Sequence, residues 1–120
     1  MRRISMGLTE QSFLAGRKVV TRRLGWEFVR PGDRLLAVNR VMGISRHRPA
    51  VKLAEISVVS VRREPLNHIT EADVEAEGFP GETPKWFVEF FCDAMGCEPG
   101  REVTRIEFDV VRFLKKSSKR

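Results

Sequence analysis

Gly16-Arg17-Lys18-Val19-Val20-Thr21-Arg22-Arg23 crowds three arginines, a lysine and a threonine into the entrance of a predicted β-strand. A strand meant only for burial would carry Val, Ile or Phe at these positions. Long basic side chains beside a hydroxyl suit a ligand with phosphate or carbonyl oxygens. The competing reading is an edge strand whose positive charges discourage aggregation. In a regular strand Val19, Thr21 and Arg23 share one face and Lys18, Val20 and Arg22 the other. Lys18 and Thr21 therefore meet only if Lys18 sits in the turn before the strand or a bulge intervenes.

On the N-terminal side, Thr9 to Ala15 reads as a short helix. Thr9 stands as its N-cap, Phe13 and Leu14 give it an apolar face, and Gly16 occupies the left-handed position that closes it. On the C-terminal side, the turn signal Pro31-Gly32-Asp33 leads into a strand over Arg34 to Asn39. Val51 to Arg63 is a longer extended segment with imperfect alternation, which predicts a bulge or bend near Glu55. Thr70-Glu71-Ala72-Asp73 has capping-box spacing and opens a helix that Gly78 ends. Thr83-Pro84 starts a second helix, whose Trp86, Phe87, Phe90, Phe91, Ala94 and Met95 recur at helical spacing up to Gly96. Val103 to Val110 alternates apolar and polar residues strictly and reads as a half-buried strand. Strands outnumber helices and no βαβ rhythm appears. The expected class is α+β, a small mixed sheet or open barrel with short helices at its side.

A chain of 120 residues, 42% hydrophobic and 32% charged, fits one folded domain with its own core. Residues 1–114 are expected to form it, with 115–120 as a basic, frayed, solubilising tail. No apolar run approaches the ~20 residues of a spanning helix. Met1-Arg2-Arg3-Ile4-Ser5 is not followed by the apolar stretch of a secretory signal. A cytoplasmic protein with no membrane partner is expected. The net charge of +6 favours a polyanion partner. Its basic residues fall at Arg17 to Arg23, Arg46 to Arg48, Arg62-Arg63 and the final hexapeptide, while acidic residues concentrate between Glu71 and Glu102. If the basic clusters converge, they form one face that attracts nucleic acid through its phosphates. Otherwise they are a solvated basic surface.

The order Gly16-x-Lys18-x-x-x-x-Arg23 after a short helix, then Pro31-Gly32-Asp33, a Val-rich strand, Ile69-Thr70-Glu71 leading into an acidic helix, and Arg105-Ile106-Glu107-Phe108 near the end resembles the ASCH family. The likeness covers most of the chain. It implies a PUA-like β-barrel, related to domains that bind RNA or read modified bases, with the Gly-x-Lys-x-x-x-x-Arg signature beside a cleft. Some bacterial members are similar to small amidohydrolases that deacetylate N4-acetylcytidine with a lysine, a threonine three positions later and a glutamate on the following helix. Residues of matching type stand here at Lys18, Thr21 and Glu77. The chain departs from that subgroup in length, in Arg22 beside Thr21, and in the aromatic helix from Trp86 to Met95. Other members imply cleavage of RNA itself, which no further feature of this chain selects.

Two functions of different class follow. The preferred one is a module that binds RNA, single-stranded nucleic acid or a modified nucleoside in a cleft lined by Gly16, Arg17, Lys18, Thr21, Arg22 and Arg23. The alternative is a metal-independent, cofactor-free amidohydrolase. In it Lys18, its pKa lowered by neighbouring cations or poor hydration, is the base, Thr21 the nucleophile, and Glu77 orients the lysine or carries a proton to the leaving amine. Arg23 stays charged and suits a phosphate or polarised carbonyl. Trp26 either stacks on a base or packs in the core. Cys92 and Cys97, with only His47 and His68 beside them in the chain, lack the spacing of a zinc site and read as plain thiols.

Overall fold

The computed structural model describes residues 1–117. Five strands form one sheet: β1 (Arg2–Ser5), β2 (Val20–Arg23), β3 (Arg34–Val38), β4 (Lys52–Pro65) and β5 (Glu102–Phe113), in the spatial order β1-β3-β4-β5-β2. Only β1 and β3 run parallel; the other neighbours are antiparallel. The long β4/β5 pair is the spine. Its register shifts between Glu55 and Ile56 and again between Val58 and Ser60. Each extra residue bends its strand and sharpens the local twist, so the sheet curls into the expected half-barrel. The first shift lies at Glu55, where a bulge or bend is expected, but its extra residue is Val111 of β5; the extra residue of β4 against β5 is Val59, at the second shift.

Three helices flank the sheet: α1 (Glu10–Leu14), α2 (Glu71–Ala76) and α3 (Pro84–Met95). The hydroxyls of Thr70 and Thr83 accept from the backbone N–H groups of Asp73 and Trp86 and cap α2 and α3, as their spacing predicts. Gly96 closes α3 in the left-handed conformation. Thr9 occupies the cap position of α1 without bonding there, a correction to its assigned role. β1 was not expected. Arg2-Arg3-Ile4-Ser5 buries only Ile4 fully and so carries no alternation long enough to read.

Two hydrophobic clusters make the core. One gathers Ile4, Met6, Phe13 and Leu14 against Leu35, Ile56, Val58, Ile106 and Phe108 of the sheet. The other packs Leu66, Ile69 and Val74 with Phe87 and Phe91 of α3 and Val103 of β5. The basic C-terminal end begins tied down: Leu114 donates its N–H to Leu53, and Lys115 pairs with Glu10 at 2.7 Å. Ser118, Lys119 and Arg120 lie outside the described residues.

Candidate functional site

A cavity of about 220 Å³ opens where the two core clusters meet. Met6 lines it from one cluster, Phe87 and Phe91 from the other. Its polar side includes Lys18, Thr21, Arg22, Arg23 and Glu77, with Ser5 and Thr9 at the same cavity. Its apolar side is built by Leu8, Phe79, Phe90, Ala94 and Met95 with the aromatic residues of α3. Trp86 and Phe90 stack with centroids 5.1 Å apart and rings 7° from parallel, and Phe79 packs edge-on against Phe90 at 5.2 Å. The apolar face of α3 thus lines the cavity as well as packing in the core.

The conflict over strand faces is resolved by where the strand begins. β2 starts at Val20, so Lys18 precedes it and is free of its alternation. The connection is held by α1 and α2 together. Ser12 accepts the N–H groups of Arg17 and Lys18 at its carbonyl, and Val19 donates to the carbonyl of Ala76 at 2.9 Å. The last carbonyls of a helix have no partner within it. Here Val19, the Lys18 ammonium and the Ser12 hydroxyl satisfy those of Ala76, Glu77 and Gly78. Docking the end of α2 on this connection carries Glu77 to Lys18.

Lys18, Thr21, Arg22 and Glu77 are each no more than 4% exposed. Lys18 Nζ donates to the Glu77 carbonyl at 2.7 Å and to Glu77 Oε1 at 2.9 Å. Arg22 Nη1 donates to Glu77 Oε2 at 3.2 Å, while its Nη2 bonds Glu64 at 2.8 Å and Asp73 at 2.6 Å. Arg105 adds two further bonds to Asp73, at 2.6 and 3.1 Å. The carboxylates are held accordingly. Arg105 first, then Arg22 against the cost of burial, draws Asp73 down to about 2. Burial alone would raise Glu64, but hydrogen bonds from Arg62 and Arg22 prevail and lower it. For Lys18 burial is the largest influence and lowers its pKa; Glu77 opposes this, and Arg23 and Arg22 reinforce it.

Arg23 stands apart from this network. Its Nε donates to Thr21 Oγ1 at 3.0 Å, and its Nη2 reaches the Ser5 carbonyl and the Met6 sulfur. Among the described residues no carboxylate pairs with it. Burial works against its charge. The charge of Glu77 offsets this in part. The cavity therefore presents a poorly solvated guanidinium with no directly bonded carboxylate, next to a threonine hydroxyl whose proton is not engaged by that bond.

Three sequence candidates lie elsewhere. Gly16 and Arg17 are exposed and do not line the cavity; the glycine, at φ 78°, serves the turn after α1. Trp26 does not line the cavity; half-buried, it packs against the first core cluster, 5.1 Å from Phe28. Arg22, expected to touch ligand, also lines the cavity, but its two Nη atoms are bonded to three carboxylates. Of the other basic clusters, Arg62 pairs with Glu64 and Arg63 lies beside Glu27 and Thr104. Met6, Leu8 and the α3 wall were not anticipated as site residues, since apolar periodicity reads as core. Cys92 and Cys97 are free thiols with sulfurs 3.9 Å apart. Burial first, then Cys97, pushes the Cys92 thiol up to about 11. Among the described residues no three metal-ligating side chains gather.

No family model and no curated protein matches this sequence. Solved structures match the fold. A protein of Enterococcus faecalis V583 assigned to the family DUF984 superposes with a TM-score of 0.69 at 17% identity, over 94% of this chain and 77% of that one. The ASCH domain of Lactobacillus crispatus JV V101 does so at 0.61 and 18% identity, over 88% and 71%. ASCH from Zymomonas mobilis gives 0.58 at 11% identity, over 93% and 69%. With its curled five-stranded sheet, its short flanking helices and these neighbours, the chain has the ASCH-domain fold.

Proposed function

We propose that the cavity binds a nucleobase or modified nucleoside, held flat by the aromatic wall and read at its polar edge by Arg23, Lys18 and Thr21. The observation that carries this reading is Arg23, a partly buried cation on the cavity with no carboxylate of its own. Such a group favours a ligand oxygen rich in electrons, a ring carbonyl or a phosphate. Opposite it, Phe79, Phe87 and Phe90 supply the surface on which a planar ring stacks, worth ~1–3 kcal/mol per base. The small cavity favours one base or nucleoside over a folded duplex. Equilibrium dialysis against cytidine and N4-acetylcytidine tests this. Saturable binding that weakens about tenfold or more, the ~1.4 kcal/mol scale of one such contact, in Arg23→Gln and in Phe90→Ala is expected. A wild-type protein that binds neither nucleoside overturns it.

One observation favours a second reading, hydrolysis of an N-acyl amide on such a base. Lys18, Thr21 and Glu77 line one cavity, and burial lowers the lysine pKa. In this scheme the neutral Lys18 amine takes the Thr21 proton as Oγ1 attacks the amide carbonyl carbon. Lys18 then returns the proton to the departing amine as the C–N bond breaks, and water cleaves the acyl-threonine to release the acid. Incubation with N4-acetylcytidine should yield cytidine and acetate. Product that survives Lys18→Ala excludes the scheme.

A further inference from the structure

Between β3 and β4, residues 39–51 form an arm that nothing above uses. Residues 41–49 are all exposed. The arm is nonetheless ordered by its own bonds. Asn39 donates its N–H to Val51 O at 3.0 Å and accepts from Val51 N–H at its side-chain oxygen at 2.7 Å. Ser45 and Arg48 close the tip with reciprocal backbone bonds of 3.0 and 3.1 Å.

Its charge is one-sided. From Arg34 to Ala54 the sequence has Arg34, Arg40, Arg46, Arg48 and Lys52 and no Asp or Glu. None of these cations makes an ion pair with a described residue, unlike those of Arg22, Arg62 and Arg63. Beside them Val41, Met42 and Ile44 are exposed, Met42 to 82%. A solubilising loop would gain nothing from three large aliphatic side chains in water. The root of the arm is at the cavity: Ser5, which lines it, donates to the Asn39 carbonyl at 3.3 Å, and Gly7, also a lining residue, is packed so closely that a Cβ there would strike the same carbonyl oxygen.

We propose that this arm grips single-stranded nucleic acid beside the nucleotide held in the cavity, with Arg46 and Arg48 on phosphates and Met42 and Ile44 against unstacked bases. Unpaired arginines at an exposed turn are suited to phosphate oxygens, and aliphatic side chains next to them to base faces. The order along the arm favours a nucleic acid over a membrane. Arg46-His47-Arg48 forms the tip, whereas a loop that enters a lipid surface leads with its apolar groups and keeps its basic ones at the headgroups. The partner's class rests on the nucleoside reading of the cavity; the exposure and charge of the arm do not.

The test compares wild type with Arg46→Gln/Arg48→Gln and with Met42→Ser, each checked for an unchanged thermal midpoint. Fluorescence anisotropy of a labelled oligouridylate across a salt series is the readout. The charge variant should bind at least about tenfold more weakly. The slope of log K against log salt should become shallower by about 1.4, the value for two phosphates on a single strand. Met42→Ser should weaken binding without changing the slope. Mononucleoside binding should be the same in all three proteins. Oligonucleotide affinity unaltered by the charge variant, no oligonucleotide binding by wild type, or arm-dependent binding to phosphatidylserine vesicles in its place would overturn the proposal. Arm-dependent oligonucleotide binding by a protein that takes no free nucleoside would remove the cavity reading and leave the arm in place.

Discussion

Lys18 and Glu77 are joined twice, through the glutamate's carboxylate at 2.9 Å and through its backbone carbonyl at 2.7 Å. These two hydrogen bonds fix the ammonium against both the side chain and the end of α2, so the pair that shapes the cavity also fastens a helix to the sheet. Arg22 holds the other carboxylate oxygen at 3.2 Å and shares its remaining bonds with Glu64 and Asp73.

Glu77→Met leaves the buried Lys18 charge without a carboxylate and should lower unfolding stability by about 3–5 kcal/mol, the usual cost of orphaning one side of a buried ion pair. Lys18→Met should cost less, because Arg22 still holds Glu77. The double variant should lose clearly less than the sum. Urea unfolding of the four proteins measures the coupling; strict additivity would mean that the two groups do not support one another.

Acid should loosen the protein through Asp73. Its folded pKa, about 2, lies below the ordinary carboxylate value because Arg105 and Arg22 bond it. A depressed carboxylate stabilises the fold fully above its unfolded value. That contribution fades as pH falls from about 4 toward 2. The expected size is about 1–2 kcal/mol. Asp73→Asn should flatten this part of the stability-versus-pH curve, read by chemical denaturation at a series of pH values. A slope identical to wild type would show that other groups carry the acid sensitivity.

Gly7 is needed for its lack of a side chain. An added methyl would meet the Asn39 carbonyl oxygen, which is backbone and cannot swing away. Gly7→Ala should therefore cost about 1–3 kcal/mol, the range for overpacking, and should disturb both the cavity rim and the root of the arm. Thermal unfolding measures the first effect. An unchanged midpoint would mean that this contact is loose.

If the amide reaction is the function, its rate should rise with pH along a limb that belongs to Lys18, below the ordinary lysine range because burial disfavours the ammonium. Thr21→Ser should keep activity and Thr21→Val should abolish it. Initial rates on N4-acetylcytidine across pH decide this, and activity retained by Thr21→Val would exclude the threonine as nucleophile.

Local signals disclosed much of this architecture, and long-range ones the rest only in outline. Thr70, Thr83 and Gly96 announce helix ends because capping depends on a few adjacent residues. The strict alternation of Val103 to Val110 reveals β5, though the strand runs on to Phe113 by pairing with Ala54. β1 escaped because four residues with one buried side chain carry no period. At the site, residue types at Lys18, Thr21 and Glu77 pointed to one place, but whether they converge depended on the strand starting at Val20 and on α2 docking through Val19. Gly16 and Arg17 belong to the signature stretch and Trp26 offers an aromatic face for a base, but a motif and a residue type do not fix nearness in space, and none of the three lines the cavity. The α3 wall was missed because an apolar helical stripe looks the same whether it faces a core or a cavity.

Amide chemical-shift mapping during titration with cytidine and N4-acetylcytidine tests the central claim most directly. A saturable response concentrated at residues 5–9, 18–23, 77–79 and 87–95, and lost in Arg23→Gln, is the predicted result. Saturable shifts confined to surfaces remote from Lys18 and Phe90, or no shifts for either nucleoside, would contradict it.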